Sequence, residues 1–203
     1  MRTNRLQTRS LLLALLCPWM LAAGVARAEP ADWIIDGEHF SISFAAGHIG
    51  YQQQMGLFLE GSGSFRYDPE AGQLSSGRVE IQAASIFSNH DARDEHLRGR
   101  DFLNAERHPV IVFEATGFEP ADQQSMQGTL RGNLTLLGQT HPVALQVTIN
   151  KRERYPFAHR REVLGISAHT TTLRSQWGMD YGVANALVGD EVSLRFELEA
   201  IRQ

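Results

Sequence analysis

The chain has 203 residues, with 23 acidic against 19 basic side chains and a single cysteine. An acidic excess repels phosphate backbones and anionic headgroups, which argues against nucleic acid or a broad anionic membrane surface as partner. One cysteine cannot form an internal disulfide, so stability must come from a hydrophobic core, and a chain of this length buries roughly 70% of the surface its unfolded form exposes.

The N-terminus reads as a secretory leader. Arg2, Arg5 and Arg9 precede an apolar run from Leu11 to Ala26, and Ala26-Arg27-Ala28 places small residues where signal peptidase requires them. Cleavage is expected between Ala28 and Glu29, leaving one domain over 29–203 in the periplasm. The run is shorter than the ~20 residues a bilayer span needs, so no transmembrane anchor is expected in the mature chain. Cys17 follows Leu15-Leu16 rather than a small residue, which disfavours lipidation, and it leaves with the leader. Four of the 19 basic residues leave too, so 15 face 23 acidic ones and the mature net charge is −8.

From Trp33 onward the apolar residues recur with period two between clusters of Gly, Asp, Asn and Pro, an all-β pattern. Strands are expected at Trp33 to Asp36, Ile42 to His48 and Leu57 to Tyr67, then around Val79, Ile81 and Ala83. Further strands follow at Val110 to Phe118, Leu130 to Leu136, Val143 to Ile149 and Leu164 to Arg174. The clearest is Val192, Leu194, Phe196, Leu198 and Ala200 alternating with Ser193, Arg195, Glu197 and Glu199. Turn chemistry at Asp68-Pro69-Glu70-Ala71-Gly72, Glu119-Pro120-Ala121-Asp122, Leu137-Gly138 and Val188-Gly189-Asp190 makes successive strands neighbours. Asp91 to Asn104 breaks the pattern, and a short helix is expected over Ala92 to Arg98 with Asp91 as N-cap and Gly99 as stop. Eight such strands close most simply into an antiparallel barrel, which abolishes exposed edges; a two-sheet sandwich satisfies the same pattern.

Catalytic machinery is absent from the pattern. No Gly-x-Ser-x-Gly elbow occurs, and the mature chain has no cysteine nucleophile. His90, Asp91, Asp94, Glu95 and His96 lie close in sequence, which makes an exported metal-binding protein or enzyme the alternative reading. His90 and His96 are six apart, however, and fall on different helix faces. Neither a metal nor a cofactor is expected. Ile42, Phe44, Ala46 and His48 share one strand face, so His48 is either a core histidine satisfied by a carbonyl or a ligand contact. The aromatic residues either fill the barrel or line a cavity for one small ligand.

Several segments in order resemble the YceI-like family of exported polyisoprenoid-binding proteins. They are Trp33-Ile34-Ile35-Asp36 with His39, Ser41, Ile42, Phe44 and His48; Gly56 and Phe58; Ser85-Ile86; and Arg93-Asp94, His96-Leu97-Arg98, Asp101-Phe102-Leu103, His108-Pro109 and Phe113. Gly132, Leu134-Thr135, Gly138-Gln139-Thr140, Arg174 to Met179 and Val188 to Val192 complete the set. Phe40 between His39 and Ser41, and Gln176-Trp177 where Asp-Phe is common, depart from it. The resemblance implies a lipocalin-like eight-stranded barrel with one short helix, holding a long polyisoprenoid such as a polyprenyl phosphate or a quinone tail. It makes the chain a binding or carrier protein rather than an enzyme, and it is compatible with a homodimer. Phe44, Phe58, Phe65, Phe102, Phe113, Trp177 and Met179 are then the expected pocket-lining residues, with His48 and Arg174 as polar contacts.

Overall fold

A computed structural model describes residues 30–122 and 126–203. The leader expected over 1–28 lies outside the described residues. Ten antiparallel strands and one α-helix follow in order: β1 (Ala31–His48), β2 (Gln52–Phe58), β3 (Gly61–Asp68), β4 (Gln73–Gln82), β5 (Ile86–Phe87), α1 (Asp91–Arg98), β6 (Val110–Pro120), β7 (Gln127–Leu136), β8 (Gln139–Arg154), β9 (Glu162–Leu173) and β10 (Val188–Arg202). The sheet closes where β10 pairs with β1, from Trp33 opposite Arg202 to His48 opposite Val188. The sandwich alternative is thereby excluded.

The ten strands fill eight positions around a closed barrel. β2 and β3 succeed one another along the same flank of β1, and β5 extends β4 beyond a single 3-10 turn to reach β2. The expected single strand from Leu57 to Tyr67 is therefore broken at Leu59-Glu60. There Ser85 takes both amides, its carbonyl accepting from Leu59 N at 3.1 Å and its hydroxyl from Glu60 N at 3.1 Å. The break leaves neither donor orphaned.

The two expected strands Trp33 to Asp36 and Ile42 to His48 are instead one strand with a bulge between Ile35 and Phe40. Five steps along a strand would turn Phe40 to the opposite face from Ile35. The looped-out residues reset the alternation, so that Phe40, Ile42 and Phe44 face inward as Trp33 and Ile35 do. Asp36 stabilises the bulge by accepting from Glu38 N at 3.0 Å and meeting His39 Nδ1 at 2.8 Å.

Helix α1 starts one residue earlier than expected. His90, not Asp91, is the N-cap: its backbone is extended and its Nδ1 accepts from Arg93 N at 3.3 Å. A ring nitrogen here does what a carboxylate was expected to do. Gly99 ends the helix in extended backbone (φ −73°) rather than in a left-handed cap. The helix is tied to β5 through Asp94, which is 5% exposed and accepts from both Ser88 N at 2.8 Å and the Ser88 hydroxyl. Arg93 completes the knot by donating to the Ser88 hydroxyl and carbonyl.

One end of the barrel is plugged. Trp33, Leu164 and Ala200 are fully buried there with Tyr67 and Ile149, and the Trp33 indole donates to Tyr67 O at 3.2 Å. The opposite end carries the β1–β2 hairpin, the long β9–β10 connection and α1.

Candidate ligand-binding site

The inward-facing side chains leave two adjoining chambers. The larger, about 410 Å³, opens at the end capped by α1, and the smaller, about 150 Å³, runs toward the plugged end. Ile81, Leu134, Leu194 and Phe196 border both chambers and form a waist between them. Strand glycines make room for the aromatic walls: a Cβ on Gly56 would overlap the Phe44 ring, and one on Gly132 would overlap Phe113.

Seven of the nine expected site residues border the large chamber: Phe44, His48, Phe58, Phe102, Arg174, Trp177 and Met179. Phe65 and Phe113 border the small one, where Phe65 stacks 6.2 Å from Trp33. Phe44 and Phe58 meet across β1 and β2 with ring centroids 5.8 Å apart. Trp177 is 1% exposed, its indole donating to Leu134 O at 3.0 Å and its ring meeting His141 edge-on. His48 is not a core histidine. It ends β1 at the chamber's mouth, exposed to solvent.

The titratable side chains around the large chamber are His48, Arg93, His96, Arg174 and Tyr181, and no carboxylate lies among them. Arg174 is 4% exposed. Its guanidinium donates to the carbonyls of Gly189 (2.8 Å), Met179 (2.8 Å), Tyr181 (2.8 Å) and Val188 (2.9 Å), and lies 5.8 Å over the Phe102 ring. Burial pushes its pKa below the ordinary arginine value, with Asp190 and Asp180 opposing that shift. Arg174 stays charged, because no arginine loses its proton in this range. One guanidinium thus laces the whole β9–β10 connection into a fixed lip and leaves its charge at the mouth without a hydrogen-bonded acid.

The sequence reasoning missed Arg93, His96 and Tyr181, and the waist residues. Periodicity held a signal for the waist, since Leu194 and Phe196 belong to the alternating face of β10. Arg93, His96 and Tyr181 come from a helix and a loop, where no period marks the inward face. His96 packs edge-on against Phe102 (5.0 Å) and Tyr181 (5.1 Å), and its Nε2 meets Asp101 at 2.9 Å. His90 is spent on capping and Asp94 on Ser88, so the His90 to His96 segment does not gather a ligand set. Among the described residues, the group that brings three His or carboxylate atoms within 4.8 Å is Asp36, His39 and Glu199, at the β1 bulge.

A profile of the YceI-like domain matches residues 33–200. The chain belongs to the YceI-like family. A UPF0312 protein of Azotobacter vinelandii is 34% identical over 182 residues, spanning 89% of this chain and 92% of that protein. A UPF0312 protein of Vibrio cholerae is 32% identical over 178 residues, spanning 87% and 90%. Among solved structures, BcnA of Burkholderia cenocepacia superposes with a TM-score of 0.72 at 20% identity, over 81% of this chain and 98% of that one. A polyisoprenoid-binding domain from Saccharophagus degradans does so with 0.62 at 11% identity, over 86% and 100%. These two likenesses concern the fold, the closed eight-position barrel with one short helix that YceI-like proteins share. The two departures from the family pattern also find their places. Phe40 is the first inward residue after the bulge and reaches over Gly61, and Trp177 is a buried wall of the large chamber.

Proposed function

We propose that this YceI-like protein is a periplasmic binding or carrier protein for a long-chain polyisoprenoid, its hydrocarbon tail in the barrel and its head group at the mouth. The observation that carries the reading is the distribution of polarity along the interior. The small chamber and the waist are walled by apolar side chains, apart from Ser64, Tyr67, Thr170 and Arg78, and the guanidinium of Arg78 lies outside in ion pairs with Glu80 and Glu114. The cationic groups that border the interior, Arg93 and Arg174, lie in the large chamber that opens at the mouth. Each buried methylene contributes on the order of 0.8 kcal/mol before ordering costs, so affinity comes from chain length and selectivity from the head group. The polyisoprenoid binding named for the Saccharophagus domain supports the same reading for this chain.

In this reading Phe44, Phe58, Phe102, Trp177 and Met179 contact the part of the chain nearest the head. Phe65 and Phe113 contact the far end of the tail. His48 and Arg174 face the head group, and Arg174 has one N–H beyond the four it spends on carbonyls. A polyprenyl phosphate or a quinone supplies acceptors for such donors. Native mass spectrometry of protein purified from the periplasm, followed by organic extraction, tests the proposal. A polyprenyl compound released at near one per chain is the expected result. Protein that is consistently empty and takes up neither added quinone nor polyprenyl phosphate would refute it.

A further inference from the structure

The lip around the mouth is apolar on its outside as well. Ile49, Tyr181 and Leu187 border the large chamber and are also 46%, 41% and 40% exposed, while Tyr51 in the hairpin turn and Met55 on β2, opposite Ala45, are 87% and 66% exposed. Large exposed side chains are ordinary when scattered singly, but several on the two segments that frame a cavity mouth point to an interaction site. The β1–β2 hairpin and the β9–β10 connection form one unit here, joined by Ile49 N donating to Leu187 O at 3.1 Å and by the pairing of His48 with Val188.

Two further observations concern what meets this lip. Residues 47–59 and 181–189 contain no Asp, Glu, Lys or Arg, although 21% of the chain is charged and 22 average residues would carry about four or five. The hairpin tip, moreover, is Ile49-Gly50 with φ of 48° and 72°. Both tip positions require left-handed backbone, where Asn-Gly is the unstrained choice and a β-branched residue is disfavoured. An isoleucine held there keeps a half-exposed apolar side chain at the rim of the large chamber at a cost in backbone strain.

We propose that this lip docks on an electrically neutral phospholipid surface, so that a lipid passes between bilayer and barrel along continuous apolar surface. The proposal rests on the carrier reading above and deepens it by naming the surface from which the ligand is taken or to which it is delivered. The hairpin and the β9–β10 segment, free of Asp, Glu, Lys and Arg, enter the headgroup region without desolvating an ion, while the charged helix α1 at the same end stays on the water side, and Tyr is a side chain that settles at such interfaces. The acidic remainder of the chain opposes anionic surfaces but not neutral ones. Attraction is then by burial rather than by charge, and added salt does not release it.

The test is flotation of the delipidated protein with phosphatidylcholine vesicles at low and high salt, alongside the variant Y51S/M55S. Neither substituted residue lines the cavity. The expected result is salt-insensitive co-flotation of the parent protein and a loss of at least about tenfold in the variant, with unchanged Tm. Parent protein that stays below the vesicles, or a variant that floats equally well, overturns the proposal. So does a concentration-dependent dimer that the variant abolishes, since a second copy then covers the lip. Uptake of a C20 isoprenoid alcohol from detergent solution is measured on both proteins in parallel. Flotation without uptake refutes the carrier reading while leaving the docking surface in place; uptake without flotation does the reverse.

Discussion

Blocking the waist between the chambers should shorten the ligand the barrel accepts. Leu194 sits on β10 opposite Phe44 of β1 and Thr170 of β9, and its side chain borders both chambers. In Leu194→Trp the larger indole has open space to enter, so the stability cost stays below the ~1–3 kcal/mol of overpacking a filled core. An apolar cavity of roughly 150 Å³ accepts a molecule the size of benzene. The small chamber, about 150 Å³, therefore holds about one five-carbon isoprene unit, and the large chamber, about 410 Å³, holds nearly three. With ~0.8 kcal/mol per buried methylene, less the cost of ordering the chain, each unit should add on the order of 1–2 kcal/mol, or about tenfold in Kd. Titration with C10, C15 and C20 isoprenoid alcohols should show that rise in the parent protein. L194W should bind C10 as the parent does and lose about tenfold for C20. A folded L194W that binds C20 unchanged, or a parent that binds C10 and C20 equally, would refute the two-chamber account.

Trp177→Ala removes a side chain that is 1% exposed and the donor to Leu134 O, so a cost of about 3–5 kcal/mol and a Tm drop on the order of 10 °C are expected in a thermal melt. Gly132→Ala forces the Phe113 ring out of its place against the strand and should lower stability by about 1–3 kcal/mol, read by urea unfolding at an unchanged m-value. Arg174→Lys keeps the charge but cannot span four carbonyls with a three-donor ammonium, so hydrogen exchange should accelerate across residues 179–189 while the fold persists. Glu162 is partly buried, which raises its pKa, but hydrogen bonds from Arg202 and Arg152 outweigh burial and hold it below the ordinary carboxylate value. A lowered folded pKa contributes stability that is complete above the unfolded value of about 4.3 and disappears as pH falls through the folded one. Glu162→Gln should therefore lower Tm at neutral pH and flatten the decline between about pH 5 and pH 3; parallel curves for the two proteins would sink that assignment.

The barrel was legible because inside and outside alternate along every strand, and the face of Val192, Leu194, Phe196 and Leu198 is the inner wall of the finished molecule. What a linear pattern cannot carry is the partner that resolves each interruption. The break at Leu59-Glu60 depends on Ser85, 25 residues away from Glu60, and nothing near position 59 announces it. The bulge after Ile35 was readable in principle from the change of parity between Ile35 and Phe40. The cap of α1 went to His90 because its ring nitrogen reaches Arg93 N, a choice between neighbouring residues that geometry alone makes. The chamber walls were legible where aromatic residues alternate with polar ones on strands, and, off the strands, at Phe102, Arg174, Trp177 and Met179 through the family resemblance. They were illegible where Arg93, His96 and Tyr181 are delivered by α1 and the β9–β10 connection. There inward direction follows from the Ser88–Asp94 anchor and from the four carbonyls that Arg174 gathers.

The same placement makes the barrel directional. Trp33, Leu164 and Ala200 are fully buried at one end, with Tyr67 edge-on to Phe118 at 6.0 Å, and a head group driven to that end would meet the hydroxyls of Ser64, Tyr67 and Thr170 at most and no cation. Burying a polar group without a partner costs roughly 2–7 kcal/mol, more than any single methylene contact returns. A ligand with one polar end and one long apolar end thus has one favourable orientation, tail toward Trp33 and head toward Arg174. Arg174 sits at the mouth with carbonyls rather than carboxylates as its hydrogen-bond partners, so the orientation is reinforced by charge for an anionic head and by hydrogen bonding for a neutral one. In the proposed binding mode the head stays at the lip, so the last part of the ligand to leave water is also the first to return to it. Chain length can then tighten binding without trapping the polar end inside.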